Sequence, residues 1–276
     1  MALRLVVLLL AALGFAFSAK ALAQESIRIG GTGMGSLLIQ RVLDTDAKPL
    51  PKVRAMVMLP PLGSNGGLRA LADGTIQVAI VSIPSSYPEK SANADNSRSI
   101  PWVRTPFIFT GRDIAGGTKL TLGQVADIYS GRINRWPGGE QIRLVTRTDR
   151  ESDTRLLRAI SPEIDAAVTL ARKRIGMPFA ETDFDNQALL EKSPGSFGTI
   201  GLGQLLLSQS ALKPVVLDGI SPTPEGLLDA TYRHEKPLYL VVSKTPSAAT
   251  LEFVQYLQSP EVMALLARFG FIPMPR

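Results

Sequence analysis

Short apolar segments alternate with amphipathic ones along this chain, and that alternation limits it to an α/β fold with mainly parallel sheets. Ser26–Gly30 reads as a strand, and Ser36–Asp44 as a helix with Leu37, Leu38 and Val42 at helical spacing. Val53–Leu59 is a second strand, and Leu68–Ala72 a short helix stopped by Asp73-Gly74. Ile76–Ser82 is almost wholly apolar, as a parallel strand buried on both faces requires. Polar Tyr87–Ser99 reads as a surface loop, and Trp102–Thr110 as the next extended run. A second unit begins near Gly111. It holds helices at Leu122–Tyr129, Thr154–Ile160, Asp165–Arg174 and Asp185–Glu191, a strand at Ile142–Val145 and a glycine-rich stretch at Gly195–Gly201. Strand Leu238–Ser243 and helices Ala248–Leu257 and Pro260–Phe269 close the chain.

Residues 1–23 have the form of a cleaved secretory signal. Arg4 supplies the positive start, Leu5–Phe17 the apolar stretch, and Ala21-Leu22-Ala23 a small-x-small cleavage site. The expected compartment is the periplasm. The sequence contains no cysteine, which excludes disulfides, thiol catalysis, cysteine-ligated metal and a lipid-anchored cysteine. A single histidine, His234, lies in a polar stretch and reads as an exposed loop residue. One histidine leaves no Ser-His-Asp triad and no metal-ligand cluster, so neither an enzyme nor a metal or other cofactor is expected. The net charge of +6 is spread along the chain without a basic block interleaved with aromatics, so no nucleic-acid partner is expected.

Loops of Gly, Ser and Thr follow three strands, the position at which open α/β sheets bind ligands. Gly31-Thr32-Gly33-Met34-Gly35-Ser36 is not a dinucleotide fingerprint: its spacing is G-x-G-x-G, and the next strand ends in Pro60-Pro61 without an acid. It presents Thr32 and the backbone at Gly33 to an anion, or it is a tight turn. In Gly63-Ser64-Asn65-Gly66-Gly67 the glycines admit a ligand close to the backbone, with Ser64 and Asn65 as polar contacts; a flexible turn has the same composition. Ser82 ends the third strand. Arg147-Thr148-Asp149-Arg150-Glu151-Ser152-Asp153-Thr154 opens a helix, whose free N–H groups attract anions. Arg147, Ser152 and Thr154 are donors there, and Asp149 and Asp153 are acceptors for an anion that still carries a proton. A charged, well-capped helix start would look the same.

The order of these segments resembles the phosphate-binding proteins of bacterial high-affinity phosphate ABC transporters. Gly63–Gly67 is similar to that family's G-S-[SG]-G-G loop. Thr121–Trp136 is similar to its L-A-D-I-F-x-G-x-I-x-x-W helix, Arg147–Thr154 to its R-x-D-G-S-G-T ligand loop, and Phe269-Gly270-Phe271-Ile272-Pro273 to its closing G-F-x-P. The resemblance implies a two-lobe periplasmic binding protein of type II, each lobe a mainly parallel sheet flanked by helices, joined by a two-segment hinge. Lobe 1 would comprise residues 24–108 plus 238–276, and lobe 2 residues 109–237. It implies capture of a small oxyanion, phosphate first, by a monomer that delivers it to an inner-membrane ABC permease. The ligand would be held by Thr32 and Ser64 from one lobe and by Arg147, Asp149, Ser152 and Thr154 from the other, with Asp149 orienting Arg147. Two departures stand out. The ligand loop is one residue longer and lacks glycine, and Ser82 stands where the family has a proton-accepting aspartate. They support a second reading, a non-transport sensor or accessory protein of the same fold.

Overall fold

A computed structural model of the protein describes residues 26–45, 54–82, 96–114, 118–174 and 176–275. The proposed signal peptide lies outside them. The first lobe opens with β1 (Ser26–Gly31), α1 (Gly33–Leu43), β2 (Arg54–Val57), α2 (Gly63–Ala72) and β3 (Val78–Val81). The long β4 (Ser97–Gly111) leads into the second lobe: β5 (Lys119–Leu120), α3 (Leu122–Ser130), β6 (Arg143–Leu144), β7 (Thr146–Arg147), α4 (Ser152–Arg158) and α5 (Pro162–Arg172). Next come β8 (Phe179–Ala180), α6 (Asp183–Lys192), β9 (Ser196–Gly201), α7 (Leu202–Ser208), β10 (Lys213–Pro214), β11 (Val216–Leu217) and α8 (Pro224–Leu228). The chain returns along β12 (Glu235–Ser243) and finishes with α9 (Ala248–Leu257), α10 (Pro260–Ala267) and β13 (Ile272–Pro273).

The main sheet runs in the order β2-β1-β3-β12-β4-β9-β6. Pairing is parallel at both ends, β2-β1-β3 and β6-β9, as the strand–helix alternation requires. It is antiparallel in the middle, where β12 pairs with β3 and β4, and β4 with β9. β4 and β12 are the two crossings between lobes, and they run side by side with a register shift between Leu238 and Tyr239.

Each lobe has its own core. Ile27, Ile29, Leu38, Val78, Leu240, Phe253 and Leu266 belong to the first. In the second, Phe197 stacks on Phe109 at 5.8 Å and takes the edges of Tyr129 at 6.2 Å and Trp136 at 5.6 Å. Trp136 Nε1 donates to Gly195 O at 3.1 Å. The tryptophan that marks the Thr121–Trp136 motif is therefore a core residue of the second lobe, not part of a site. The helix before it is held by a reciprocal Thr121–Gln124 capping box and ends on Gly131 at φ 86°.

Several expected boundaries move. Ser97–Ser99 belongs to β4 instead of a loop, because its backbone pairs with β12. Gly195–Gly201 is largely the buried strand β9; Gly198 is needed because a Cβ there would meet Val145 O at 3.0 Å. Gly67 packs on the backbone of β1, where a Cβ would lie 2.9 Å from Gly31 Cα, so its role is the seating of α2. His234 is half-buried, with its carbonyl accepting from Phe107 N at 2.9 Å, and burial lowers its pKa.

Candidate functional site: the junction of α1 with the Arg147 loop

β1 delivers the chain into α1 through Gly31 and Thr32. Thr32 N donates to Ile80 O at 2.9 Å, which anchors the turn to β3. The Thr32 hydroxyl accepts from Gly35 N at 3.1 Å as a helix cap. The next free amide of the helix, Met34 N, donates 2.9 Å to Oδ2 of Asp183. Asp183 is the first residue of α6, in the opposite lobe. Gly33 permits this approach: a Cβ at that position would meet the Asp183 Cβ at 2.8 Å.

From the other side β7 presents Arg147, which is buried. Its Nη1 donates to Asp183 Oδ1 at 2.5 Å and to Asp153 Oδ2 at 3.3 Å, and its Nη2 to Glu151 Oε2 at 2.8 Å. A second cation reaches the same point from the crossing strand. Lys236 Nζ on β12 lies 3.0 Å from Asp183 Oδ1 and 2.6 Å from Asp153 Oδ1, and the whole side chain is buried. Arg147 and Lys236 thus face three carboxylates, Asp153, Asp183 and Glu151.

The electrostatics follow from this packing. Burial by itself would raise the Asp183 pKa, but Lys236, Arg147 and the Met34 amide together hold it well below the usual carboxylate range. Burial would deprotonate Lys236, yet Asp153 and Asp183 outweigh it and the net shift is upward. The same competition raises Arg147. Glu151 sits nearer the rim; burial raises its pKa against the pull of Arg147. The centre is a charge-paired, hydrogen-bonded cluster that joins α1, the Arg147 loop, α6 and β12.

The expected site residues fall into four groups. Gly33, Arg147 and Asp153 meet around Asp183, and Thr32 caps the helix whose Met34 amide reaches the same carboxylate. Ser64, Asn65 and Ser82 form a neighbouring wall. Ser82 N donates to Ser64 Oγ at 3.2 Å, and Asn65 Nδ2 spans the lobes to Arg150 O at 3.3 Å. Ser82 Oγ is buried without a hydrogen-bond partner among the described residues. Ser152 is buried in the first turn of α4, and Thr154 Oγ1 donates to Arg147 O at 3.2 Å, bracing the loop. Asp149 does not orient Arg147. It is half-exposed and pairs with Arg172 at 2.9 Å and Arg158 at 3.2 Å, on the side of the loop away from Arg147. Its expected role passes to Asp153 and Asp183. Glu151 is held by Arg147.

Asp183 and Lys236 carried no recognisable signal. Asp183 stands beside an ordinary Thr182–Asp185 capping box, and Lys236 in a Tyr-Arg-His-Glu-Lys run that reads as a polar connection. Outside the cluster, a cavity of ≈ 680 Å³ opens between the lobes, lined by Gly63, Asn65, Arg69, Arg150, Glu151 and Arg172 among others. No group of His, Asp and Glu suited to a metal occurs among the described residues, and no helix among them is long and apolar enough to cross a membrane.

Two lobes joined by paired crossing strands, with a cation and a helix N-terminus meeting between them, give the type II periplasmic-binding-protein fold. Solved structures share this fold. A proposed phosphate ABC transporter substrate-binding protein from Clostridium perfringens, solved with bound phosphate, is 18% identical; the match covers 91% of this chain and 100% of that one at a TM-score of 0.71. An ABC-type phosphate transport receptor from Vibrio cholerae is 19% identical over 90% of this chain and 100% of its own, at 0.62. A phosphate-binding protein from Stenotrophomonas maltophilia is 16% identical over 91% of each chain, at 0.68. At such identities the likeness establishes the fold alone. No curated protein matches the chain. The family model for the PBP superfamily domain matches residues 18–261, and the chain belongs to that family.

Proposed function

We propose that this protein is an exported binding protein of the periplasm that captures an inorganic oxyanion, phosphate first, and presents it to an inner-membrane ABC permease. The observation that carries this reading is the convergence of the Met34 amide at the start of α1, Arg147 and Lys236 on one pair of carboxylate oxygens. Backbone N–H, guanidinium and ammonium are the donors that a small oxyanion needs. Two buried hydroxyls without partners among the described residues, Ser36 Oγ and Ser82 Oγ, are further donors on the first lobe for a tetrahedral anion. The similar solved structures are of phosphate-binding and phosphate-transport proteins, which supports phosphate as the first ligand to try.

A second reading is favoured by the same cluster. Its donors are already satisfied by Asp183, which suits an accessory or sensor protein that stays closed without a free anion and recognises another protein. Calorimetric titration of phosphate, arsenate, sulfate and molybdate separates the two. Saturable one-to-one heat with any of them, lost in Arg147→Ala, supports capture. The absence of heat from all four at micromolar protein refutes capture by the native protein and leaves the second reading.

A further inference from the structure

We propose that Asp183 is a built-in ligand of the anion seat, a carboxylate from one lobe that takes the place of an incoming oxyanion and latches the other lobe onto it. This rests on the reading of the α1–Arg147 junction as an anion seat. The carboxylate is bound as a free anion would be. One oxygen accepts from the helix amide Met34 N at 2.9 Å, and the other accepts from Arg147 Nη1 at 2.5 Å and Lys236 Nζ at 3.0 Å. It has three donors of three chemical kinds, from α1, β7 and β12. Gly33 leaves room for the aspartate Cβ and for no side chain of its own.

Two consequences follow. An external oxyanion binds only by expelling Asp183, so its affinity is reduced by the occupancy of the internal ligand. Asp183 is covalently attached and therefore present at a high effective concentration, which only a strongly charged ligand overcomes. With Asp183 in place the two cations are outnumbered by carboxylates, whereas without it Asp153 and Glu151 balance Arg147 and Lys236. Removing Asp183 thus frees its three donors, and an incoming monoanion restores the charge count that Asp183 had set.

The test uses the full mature chain and its Asp183→Ala and Asp183→Asn variants. Phosphate binding is read by calorimetry, and acetate is offered as a free surrogate for the missing side chain. Phosphate is expected to bind Asp183→Ala at least ~10-fold more tightly than wild type, the signature of a removed competitor. Acetate is expected to raise the Tm of Asp183→Ala and not that of wild type. Asp183→Asn keeps the shape, and so keeps a folded protein if the alanine variant is too unstable; it also binds phosphate more tightly than wild type. Equal or weaker phosphate binding by both variants, without acetate rescue, overturns the proposal. If wild type binds none of the oxyanions while Asp183→Ala binds phosphate, uptake by the native protein fails and the internal ligand stands. If wild type binds and neither variant gains, the internal ligand fails and capture stands.

Discussion

Lys236 gives the sharpest test of the buried cluster that closes this protein. Its ammonium lies 2.6 Å from Asp153 and 3.0 Å from Asp183, with no exposure of the side chain. Lys236→Met keeps most of the stem volume in β12 and removes the charge. Asp153 and Asp183 are then left to share Arg147, whose second nitrogen also serves Glu151. Breaking a buried pair by deleting one partner costs about 3–5 kcal/mol, because the stranded charge stays desolvated. For a chain of this size each kcal/mol shifts Tm by about 2–4 °C, so a fall on the order of 10 °C is expected. The pH profile adds a signature that lost packing cannot mimic. Asp183 has a depressed pKa in the folded protein, so its pairing stabilises above the unfolded value near ~3.9 and is lost as pH falls through the lower folded value. Lys236 has a raised pKa, so its share is fully present below ~10.4 and disappears as pH rises through the higher folded value. The gap between wild type and variant is therefore widest from about pH 4 to pH 10 and narrows on both sides. Urea denaturation carried from below about pH 4 to above about pH 10 measures it. A gap below ~1 kcal/mol, or one that does not change with pH, would refute an ionised cluster at this position.

Further outcomes test the surroundings of the cluster. Gly33→Ala places a methyl 2.8 Å from the Asp183 Cβ, so thermal unfolding is expected to show a loss of about 1–3 kcal/mol from overpacking. Asp149→Ala removes a half-exposed surface pair, costs under ~1 kcal/mol and leaves any oxyanion titration unchanged; a lost titration would restore Asp149 to the site. Thr121→Ala removes the α3 capping box and is expected to lower stability by about 1 kcal/mol without altering ligand binding, which makes it a control for general loosening.

Local pattern carried much of this structure. Apolar Ile76–Ser82 contains a fully buried strand, and the Pro after Ser259 starts α10, because both depend on nearest neighbours. Thr32 and Arg147 were legible as site residues because loops that follow strands and start helices present donors at a sheet edge. The reach of a side chain across the lobes was not legible. Asp183 meets Met34, 149 residues away in sequence, only after the chain has crossed into the second lobe along β4. Lys236 looked like loop because its neighbours are polar, yet it lies on a central strand whose pairing with β4 carries it inside. Asp149 and Asp153 are chemically alike and four residues apart, and only the turn of the loop decides which one faces Arg147.

The most direct measurement is a phosphate titration of Asp183→Ala beside the double variant Asp183→Ala/Arg147→Ala. Saturable one-to-one binding by the single variant that vanishes in the double one is the expected result. It would place the anion on Arg147, in the seat that Asp183 fills. Binding that survives the loss of Arg147, or no binding by either protein, would contradict that account.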